Sequence, residues 1–301
     1  MPLVPMTVLL RNAMEHGYAV GYFESWNLES LLAVKDAAEE ARSPVIIGFN
    51  GGFLGNRNRR KVENIHVYGQ LGRAVAEQAS VPMSLILNEA VDVDLLREAL
   101  KAGFNVVMHD HEGSRLQESI RINASLVRDA HQAGAAVEAE IGELPTGSVG
   151  GSIVSKGAKT DPAEAARFVK ATGVDALAVA IGNVHVLEGR KSRLDLELLA
   201  ELRRVIPVPL VLHGGTGIDP EELKKAIHAG VCKVNVGTVL RRRFINSLKR
   251  YYAANDVDAL DPGEVTSTGG ERDMLTAARA EVASEVVALM TLFGSAHQAP
   301  A

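Results

Sequence analysis

The sequence contains a single cysteine, Cys232, in 301 residues. An internal disulfide is therefore impossible, and the chain suits a reducing compartment, so we expect a cytoplasmic protein. Because Cys232 lies in an apolar run, we expect a small core residue rather than a nucleophile. Long hydrophobic runs are also missing, since none reaches the ~18 residues needed to span a bilayer. The amino terminus lacks a positively charged flank, so we expect no signal peptide.

Basic residues are outnumbered by acidic ones, 32 to 37, which leaves a formal net charge of −5. This balance gives neither the basic footprint of a nucleic-acid-binding protein nor a polybasic membrane patch. The one dense basic run, at positions 241–243, is short and is expected to be a solvated helix face. We therefore expect a small-molecule partner, with no nucleic acid and no membrane.

Short β-branched runs alternate with helical patterns along the whole chain, and no Pro/Ser-rich linker divides them. Runs of this kind, bounded by turn signals, are typical of buried parallel strands. Eight such runs predict a single (β/α)8 TIM barrel over residues 1–301, with a C-terminal helical extension from about residue 254. A doubly wound open sheet is the alternative. The first five predicted strands are 19–23, 44–49, 81–87, 104–108 and 135–141.

The last three strands are predicted to end at His185, His213 and Asn235. The carboxyl ends of parallel strands form the edge at which α/β enzymes bind ligands. Two histidines near carboxylates suit a divalent metal, most naturally Zn²⁺, with Glu89 as the predicted third ligand. The other polar residues predicted in this cup are Glu24, Asn50, Asn88, Asp110, His111, Glu112 and Glu140, of which Asp110 and Glu140 are alternate ligands or support the ligands.

Two Gly-rich turns follow the last two predicted strands, and each precedes a helix. One contains Gly214, Gly215 and Thr216, and the other leads from Asn235 to Thr238. Backbone N–H groups and hydroxyls at such positions can bind an anion. The turns therefore predict a phosphate or carboxylate site, with Asn50 as a further substrate contact.

Several motifs together resemble the class II, zinc-dependent ketose-bisphosphate aldolases, the fructose- and tagatose-bisphosphate group. They are VEAEIG at 137–142, TGVDALAVAIGNVH at 172–185, VPLVLHGGTG at 208–217 and GVCKVNVGT at 230–238. The resemblance implies a barrel assembled as a homodimer or homotetramer, with zinc on His185 and His213. It also implies phosphate near Gly214, Thr216 and Thr238, and an Asn235 that binds the reacting dihydroxyacetone-like moiety.

The departures from this family lie in the cup. Where the family has H-x-D-H after its third strand, this chain has Ile86-Leu87-Asn88-Glu89. Asn88 occupies the catalytic position of the family's Asp but cannot exchange a proton. Glu24 and Trp26 replace two amides of the first strand. Glu24, His111 or Glu112 is therefore predicted to replace the missing proton carrier.

Three functions fit this pattern. The first is a metal-dependent aldolase-like lyase acting on a sugar, sugar phosphate or sugar acid through an enediolate. The second is an epimerase, isomerase or decarboxylase that uses the same metal-assisted chemistry. The third is a non-catalytic aldolase-like subunit that keeps the barrel and an anion pocket.

Overall fold

The structure is a computed structural model, and it describes residues 3–56, 58–110, 115–148, 152–153, 155, 157–185 and 191–300. Eight parallel strands pair in sequence order and close into a barrel, because β8 pairs with β1. This confirms the predicted TIM barrel. The strands are β1 Val20–Ser25, β2 Val45–Asn50, β3 Met83–Ala90, β4 Val106–His109, β5 Ala136–Ile141, β6 Ala176–Val179, β7 Leu210–Leu212 and β8 Val231–Val236.

Helices surround the barrel, and aspartate or asparagine caps the amino termini of most of them, as at Asp92, Asp161 and Asp219. No described helix combines the length and apolarity needed to cross a membrane. The helices are α1 Met6–His16, α2 Leu28–Glu40, α3 Gly51–Leu54, α4 Ile65–Glu77, α5 Val93–Ala102, α6 Leu116–Gln132, α7 Pro162–Thr172, α8 Leu196–Val205, α9 Pro220–His228, α10 Thr238–Ala254, α11 Pro262–Thr266 and α12 Met274–Leu292.

The barrel interior is filled with side chains, and α1 closes its amino-terminal end. Met6 and Leu10 of α1 belong to the same buried cluster as Ile46, Val106 and Cys232 inside the barrel. The backbone of Val4, just before α1, bonds to Met83 and Asn105 near the starts of β3 and β4. Cys232 is thus a core residue, as predicted.

Three parts of the backbone differ from the prediction, and all three lie near the cup. The expected loop after β2 contains the short helix α3. Strand β3 continues through Asn88 and Glu89 to Ala90 instead of ending before them. His185 lies well beyond the end of β6 at Val179, where backbone bonds to Pro145 and Gly147 of the loop after β5 hold it in place.

Helix α12 packs against α2 and α10 on the outside of the barrel. Arg279 of α12 forms a two-pronged ion pair with Asp36 of α2, at 2.5 and 2.7 Å. Just after the helix, the ring of Phe293 stacks on Phe23 of β1 with centroids 6.1 Å apart. The end of the described chain is therefore attached to the barrel wall.

Candidate active site

A cavity of about 360 Å³ opens at the carboxyl ends of the strands. Its walls come from β1, β2, β3 and β8, from residues that follow β6 and β7, and from the first turns of α10. The described residues that line it are Tyr22, Glu24, Asn50, Phe53, Asn88, Glu89, His185, His213, Gly214, Thr216, Asn235, Val236, Gly237, Thr238, Arg241, Arg242 and Ile245.

His213 is the most constrained polar residue of the cavity, because it is fully buried among carboxylates. Its Nε2 lies 3.0 Å from Glu138 Oε1, and its Nδ1 lies 2.9 Å from Glu140 Oε2 and 3.4 Å from Glu89 Oε1. Burial disfavours the imidazolium, but Glu140, Glu138 and Glu89 outweigh burial and raise the pKa of His213 to about 10.

Glu89, His185 and His213 each place a possible ligand atom within 4.8 Å of the other two. Two imidazoles and a carboxylate are a common donor set for catalytic zinc. Glu138 accepts a hydrogen bond from Nε2–H of His213, which leaves Nδ1 as the nitrogen that can bind a metal. The residues present therefore fit a divalent metal, with Glu89, His185 and His213 as its ligands and Glu140 beside them.

A bulge in β3 brings Glu89 into this cluster. Successive residues of a regular strand point to opposite faces, yet both Asn88 and Glu89 line the cavity. The pairing of β3 with β4 shifts between Leu87 and Ala90, and Glu89 has a φ of +54°. This left-handed conformation is costly for a non-glycine residue, so the backbone is strained at a predicted metal ligand.

Below the cavity, Lys233 connects Glu138, the hydrogen-bond partner of His213, to Asn235. Its ammonium lies 2.8 Å from Glu138 Oε2 and donates a short hydrogen bond to Asn235 Oδ1. Asn235 lines the cavity, and its Nδ2 has no hydrogen-bond partner among the described residues. Lys233 and His213 together lower the pKa of the buried Glu138 despite the opposing effect of burial, so Glu138 is ionised.

The two Gly-rich turns that are predicted to bind an anion, called the anion turns below, lie together at one side of the cavity. Gly214, Thr216 and Thr238 all line it, and α10 begins at Thr238 with no side-chain cap and no acidic residue in its first turn. The N–H of Val239 donates to Thr216 Oγ1 at 3.3 Å and so joins the two turns, and the positive end of the helix dipole favours an anion beside them. Gly215, predicted with them, is buried in packing against β8 and is not among the lining residues.

Arg241 corrects the prediction of a solvated basic run. It forms a short ion pair with Glu24, and its guanidinium stacks over Trp26 at 4.7 Å and Phe53 at 4.9 Å. Arg242 also lines the cavity, whereas Arg243 pairs with a carboxylate of α12. Arg241 and Arg242 lie in the first turns of α10, next to the barrel mouth.

Glu24 and Asn50 complete the wall at β1 and β2. Asn50 Nδ2 donates to Glu24 Oε2 at 3.2 Å and to Glu89 Oε2 at 2.9 Å. Burial raises the pKa of Glu24, although Arg241 and Asn50 act in the opposite direction. Burial, reinforced by Glu24 and Glu89, also raises the pKa of Tyr22, whose hydroxyl has no partner among the described residues.

Not every predicted residue is in the cavity. Asp110 follows β4 and is not among the described lining residues. His111 and Glu112 lie outside the described residues. Their predicted roles stay predictions.

The arrangement of a two-histidine, one-carboxylate cluster beside two anion turns at a barrel mouth agrees with the motifs of the sequence. A family model described as fructose-bisphosphate aldolase class-II matches residues 4–298. The chain belongs to the class II fructose-bisphosphate aldolase family. The predicted family and the assignment as an aldolase-like lyase are thus confirmed. Members of this family typically depend on a divalent metal and act on sugar phosphates.

Individual relatives agree over most of the chain. It is 37% identical over 229 residues to the protein YdjI of Escherichia coli (strain K12), covering 76% of this chain and 80% of YdjI. It is 34% identical over 302 residues to a Bacillus subtilis (strain 168) protein named "Probable fructose-bisphosphate aldolase", covering 99% of this chain and 100% of that protein. The crystal structure of the YdjI aldolase from E. coli K12 superposes with a TM-score of 0.81 at 31% identity, covering 99% and 100% of the two chains.

Sequence reasoning missed several residues in or below the cavity, among them Tyr22, Lys233 and Arg241. Strand alternation could have found Lys233, since Asn235 points inward and residues two apart share a face. The same rule links Tyr22 to Glu24. No local signal marks Arg241, because its position depends on Glu24 and two aromatic rings that are distant in sequence.

Proposed function

We propose that the protein is a metal-dependent aldolase that breaks and forms a C–C bond in a phosphorylated ketose. The observation that carries the proposal is the convergence of Glu89, His185 and His213 beside the turns at Gly214 and Thr238, in one cavity. A bound divalent metal would polarise the substrate carbonyl and stabilise the negative charge that develops on its oxygen during cleavage. The anion turns would hold the phosphate of the same substrate.

The chain's own residues supply the remaining contacts. Asn235 presents an unpartnered Nδ2, held by Lys233, and can donate to a substrate oxygen. Tyr22 keeps its proton because its pKa is raised, so its hydroxyl is a second donor. Asn88 has an unpartnered Oδ1 and can accept a hydrogen bond from a substrate hydroxyl, but it cannot carry a proton.

Glu24 is the proposed proton carrier. Among the described residues, Glu24 and Glu89 are the carboxylates that line the cavity, and Glu89 belongs to the metal cluster. Cleavage requires a base to take the proton of the hydroxyl next to the breaking bond and an acid to return a proton to the carbon left behind. A buried carboxylate with a raised pKa suits both steps.

The test combines metal analysis with assays of C–C cleavage. The purified protein is expected to retain a divalent metal at neutral pH and to release a triose phosphate from one or more ketose 1-phosphates or 1,6-bisphosphates, detected by coupled reduction. His185→Ala should lose both metal and activity, whereas His131→Ala, which changes an exposed histidine on α6, should keep them. Protein that neither holds a metal nor cleaves any such ketose would refute the proposal.

Solvent deuterium distinguishes the predicted alternative reaction. If substrate gains deuterium without cleavage, the site performs isomerisation or epimerisation instead of aldol chemistry. The double change Asn88→Asp with Glu89→His is informative beside it. Because it restores the family's proton carrier and zinc ligand, it is expected to raise cleavage of bisphosphate substrates.

A further inference from the structure

A second cavity of about 440 Å³ lies beside the carboxyl ends of β1 and β2 and adjoins the first one. The two cavities share Asn50, Phe53 and Arg241 as lining residues. Their shared wall means that a ligand too long for the first cavity can extend into the second. The other described residues that line the second cavity are Ser25, Trp26, Phe49, Leu54, Asn56, Asn58, Arg59 and Tyr68.

Arg241 forms the partition between the two cavities. Its guanidinium is held between the rings of Trp26 and Phe53 and is paired with Glu24 on the side of the first cavity. Phe53 is itself 55% exposed, so this partition is a thin wall of side chains at the surface and not part of the packed core. A substrate chain can therefore cross it by contacting Arg241.

Ser25 is the observation that points to a ligand in the second cavity. The residue is 1% exposed, and its Oγ has no hydrogen-bond partner in the described part of the chain. A buried hydroxyl without a partner is costly in a native protein and usually marks a ligand or water site. Since Ser25 lines the second cavity, a polar group there would satisfy it.

The charges of the residues that line the second cavity indicate which kind of polar ligand group would bind there. Arg59 is paired with Glu63 at 2.5 Å and also donates to the Phe53 carbonyl oxygen, while Arg241 is paired with Glu24. Both of these arginines are thus already paired. The described lining residues also offer neutral donors and acceptors on Ser25, Asn56 and Asn58, beside aromatic faces that suit the C–H groups of a sugar chain.

We propose that the second cavity is a subsite for the uncharged, polyhydroxylated tail of the substrate, the part beyond the bond that is cleaved. The inference rests on the proposed aldolase function for its place in the reaction. It specifies the acceptor as a hydroxylated aldehyde of four or more carbons, with Ser25 bonding to one of its hydroxyls and Trp26 and Tyr68 covering its carbon chain.

The subsite is tested by comparing turnover of aldehydes that differ in chain length. The metal-loaded protein is assayed for addition of dihydroxyacetone phosphate to glycolaldehyde, which has two carbons, and to erythrose, which has four. The ratio of kcat/KM for erythrose over glycolaldehyde is expected to fall about fivefold in Ser25→Ala, the factor of one neutral hydrogen bond. Asn58→Trp, which places an indole at the exposed rim of the second cavity, should lower the ratio further.

Val62→Trp is the matched control, because Val62 is 93% exposed and lines neither cavity. Its ratio should equal that of the unchanged protein. A ratio that stays constant in Ser25→Ala and Asn58→Trp, or falls equally in Val62→Trp, would overturn the subsite.

A binding experiment separates failure of the subsite from failure of the proposed function. Saturation-transfer NMR with ribitol, a five-carbon alditol, needs no turnover. Transfer to ribitol in the unchanged protein and in Val62→Trp, but not in Asn58→Trp, supports the subsite even if no aldehyde reacts. Absence of transfer in the unchanged protein, or equal transfer in all three proteins, refutes it even if aldol addition occurs.

Discussion

The pKa of the buried Glu24 is predicted to determine how activity changes at acid pH. A general base must be ionised before it accepts a proton, so activity should fall as the pH drops through the pKa of Glu24. Because burial raises that pKa above the ordinary value of 4.5, the acid limb of kcat/KM should lie above pH 4.5. Glu24→Gln keeps the shape of the side chain but should remove this limb and lower kcat by about 10²- to 10⁴-fold.

Metal content is measured at each pH, so that loss of metal is not mistaken for protonation of Glu24. Glu40→Gln, which changes an exposed carboxylate at the end of α2, serves as the control and should keep the profile. An unchanged acid limb in Glu24→Gln would assign the proton transfer to another group, such as His111 or Glu112.

Glu138 does not line the cavity, but it is predicted to support the proposed metal site through His213. It holds the Nε2 proton, so that Nδ1 is the nitrogen directed at Glu89. Glu138→Gln should therefore weaken zinc binding about 10- to 100-fold, as is typical when the hydrogen-bond partner of a ligand is changed. The dissociation constant is measured by competition with a chelator.

Glu138→Gln also leaves the buried Lys233 without its counter-charge, which destabilises the fold by about 3–5 kcal/mol. The double change Glu138→Gln with Lys233→Met removes both charges and controls for this loss. If the double variant regains stability but still binds zinc weakly, the effect on the metal belongs to Glu138. If the double variant binds zinc as tightly as the unchanged protein, the predicted role of Glu138 in metal binding is wrong.

At the scale of a single element, strand β3 contains a strained residue, Glu89, at the position of a predicted metal ligand. The positive φ of Glu89 costs about 1–2 kcal/mol in a residue with a Cβ atom, and glycine avoids this cost. Glu89→Gly and Glu89→Ala both remove the carboxylate and its bond to Asn50, but only Glu89→Gly relieves the backbone. Urea unfolding of the metal-free proteins should show Glu89→Gly to be more stable than Glu89→Ala by about 1 kcal/mol.

Both variants should bind zinc more weakly than the unchanged protein, because the Glu89 ligand is gone. Equal stability of the two variants would show that the backbone at position 89 carries no strain.

The elements also explain how far the sequence could predict the structure. Most strands lie in short, largely apolar runs ended by turn signals, so local pattern predicts eight strands alternating with helices, for which a closed barrel is the simplest arrangement. The bulge at Glu89 does not, since Leu87-Asn88-Glu89-Ala90 carries no glycine to mark a left-handed residue. The position of His185 was equally hidden, because the backbone of the loop after β5 holds it.

In the whole molecule, the residues predicted to depart from the family lie on a different part of the barrel from the residues that match its motifs. The anion turns and the two histidines occupy the region from β6 to α10, where the sequence motifs are also strongest. The residues predicted to depart from the family, Glu24, Trp26, Asn88 and Glu89, come from β1 and β3 and from the residue after β1. Because a barrel wall is held by packing below the rim, side chains at the rim can change chemistry while the strands keep their register.

The packing of the C-terminal helices against the barrel predicts how they unfold. Phe293 is buried against Phe23 of β1, and α12 is bonded to α2 through Arg279 and Asp36. We therefore expect the helical extension to unfold together with the barrel. Phe293→Ala should lower the free energy of unfolding by about 3–5 kcal/mol. Tyr252→Ala, which truncates an aromatic residue that is 56% exposed, should change it by no more than about 0.5 kcal/mol.

Urea unfolding followed by both circular dichroism and the fluorescence of Trp26 distinguishes the two possibilities, because Trp26 is the only tryptophan and lies just after β1. If α12 is part of the barrel fold, both signals in Phe293→Ala should shift together to a lower urea concentration. An early loss of helical signal with the Trp26 transition unchanged would instead show that α12 melts as a separate appendage, because the barrel would then be stable without the Phe293 contact.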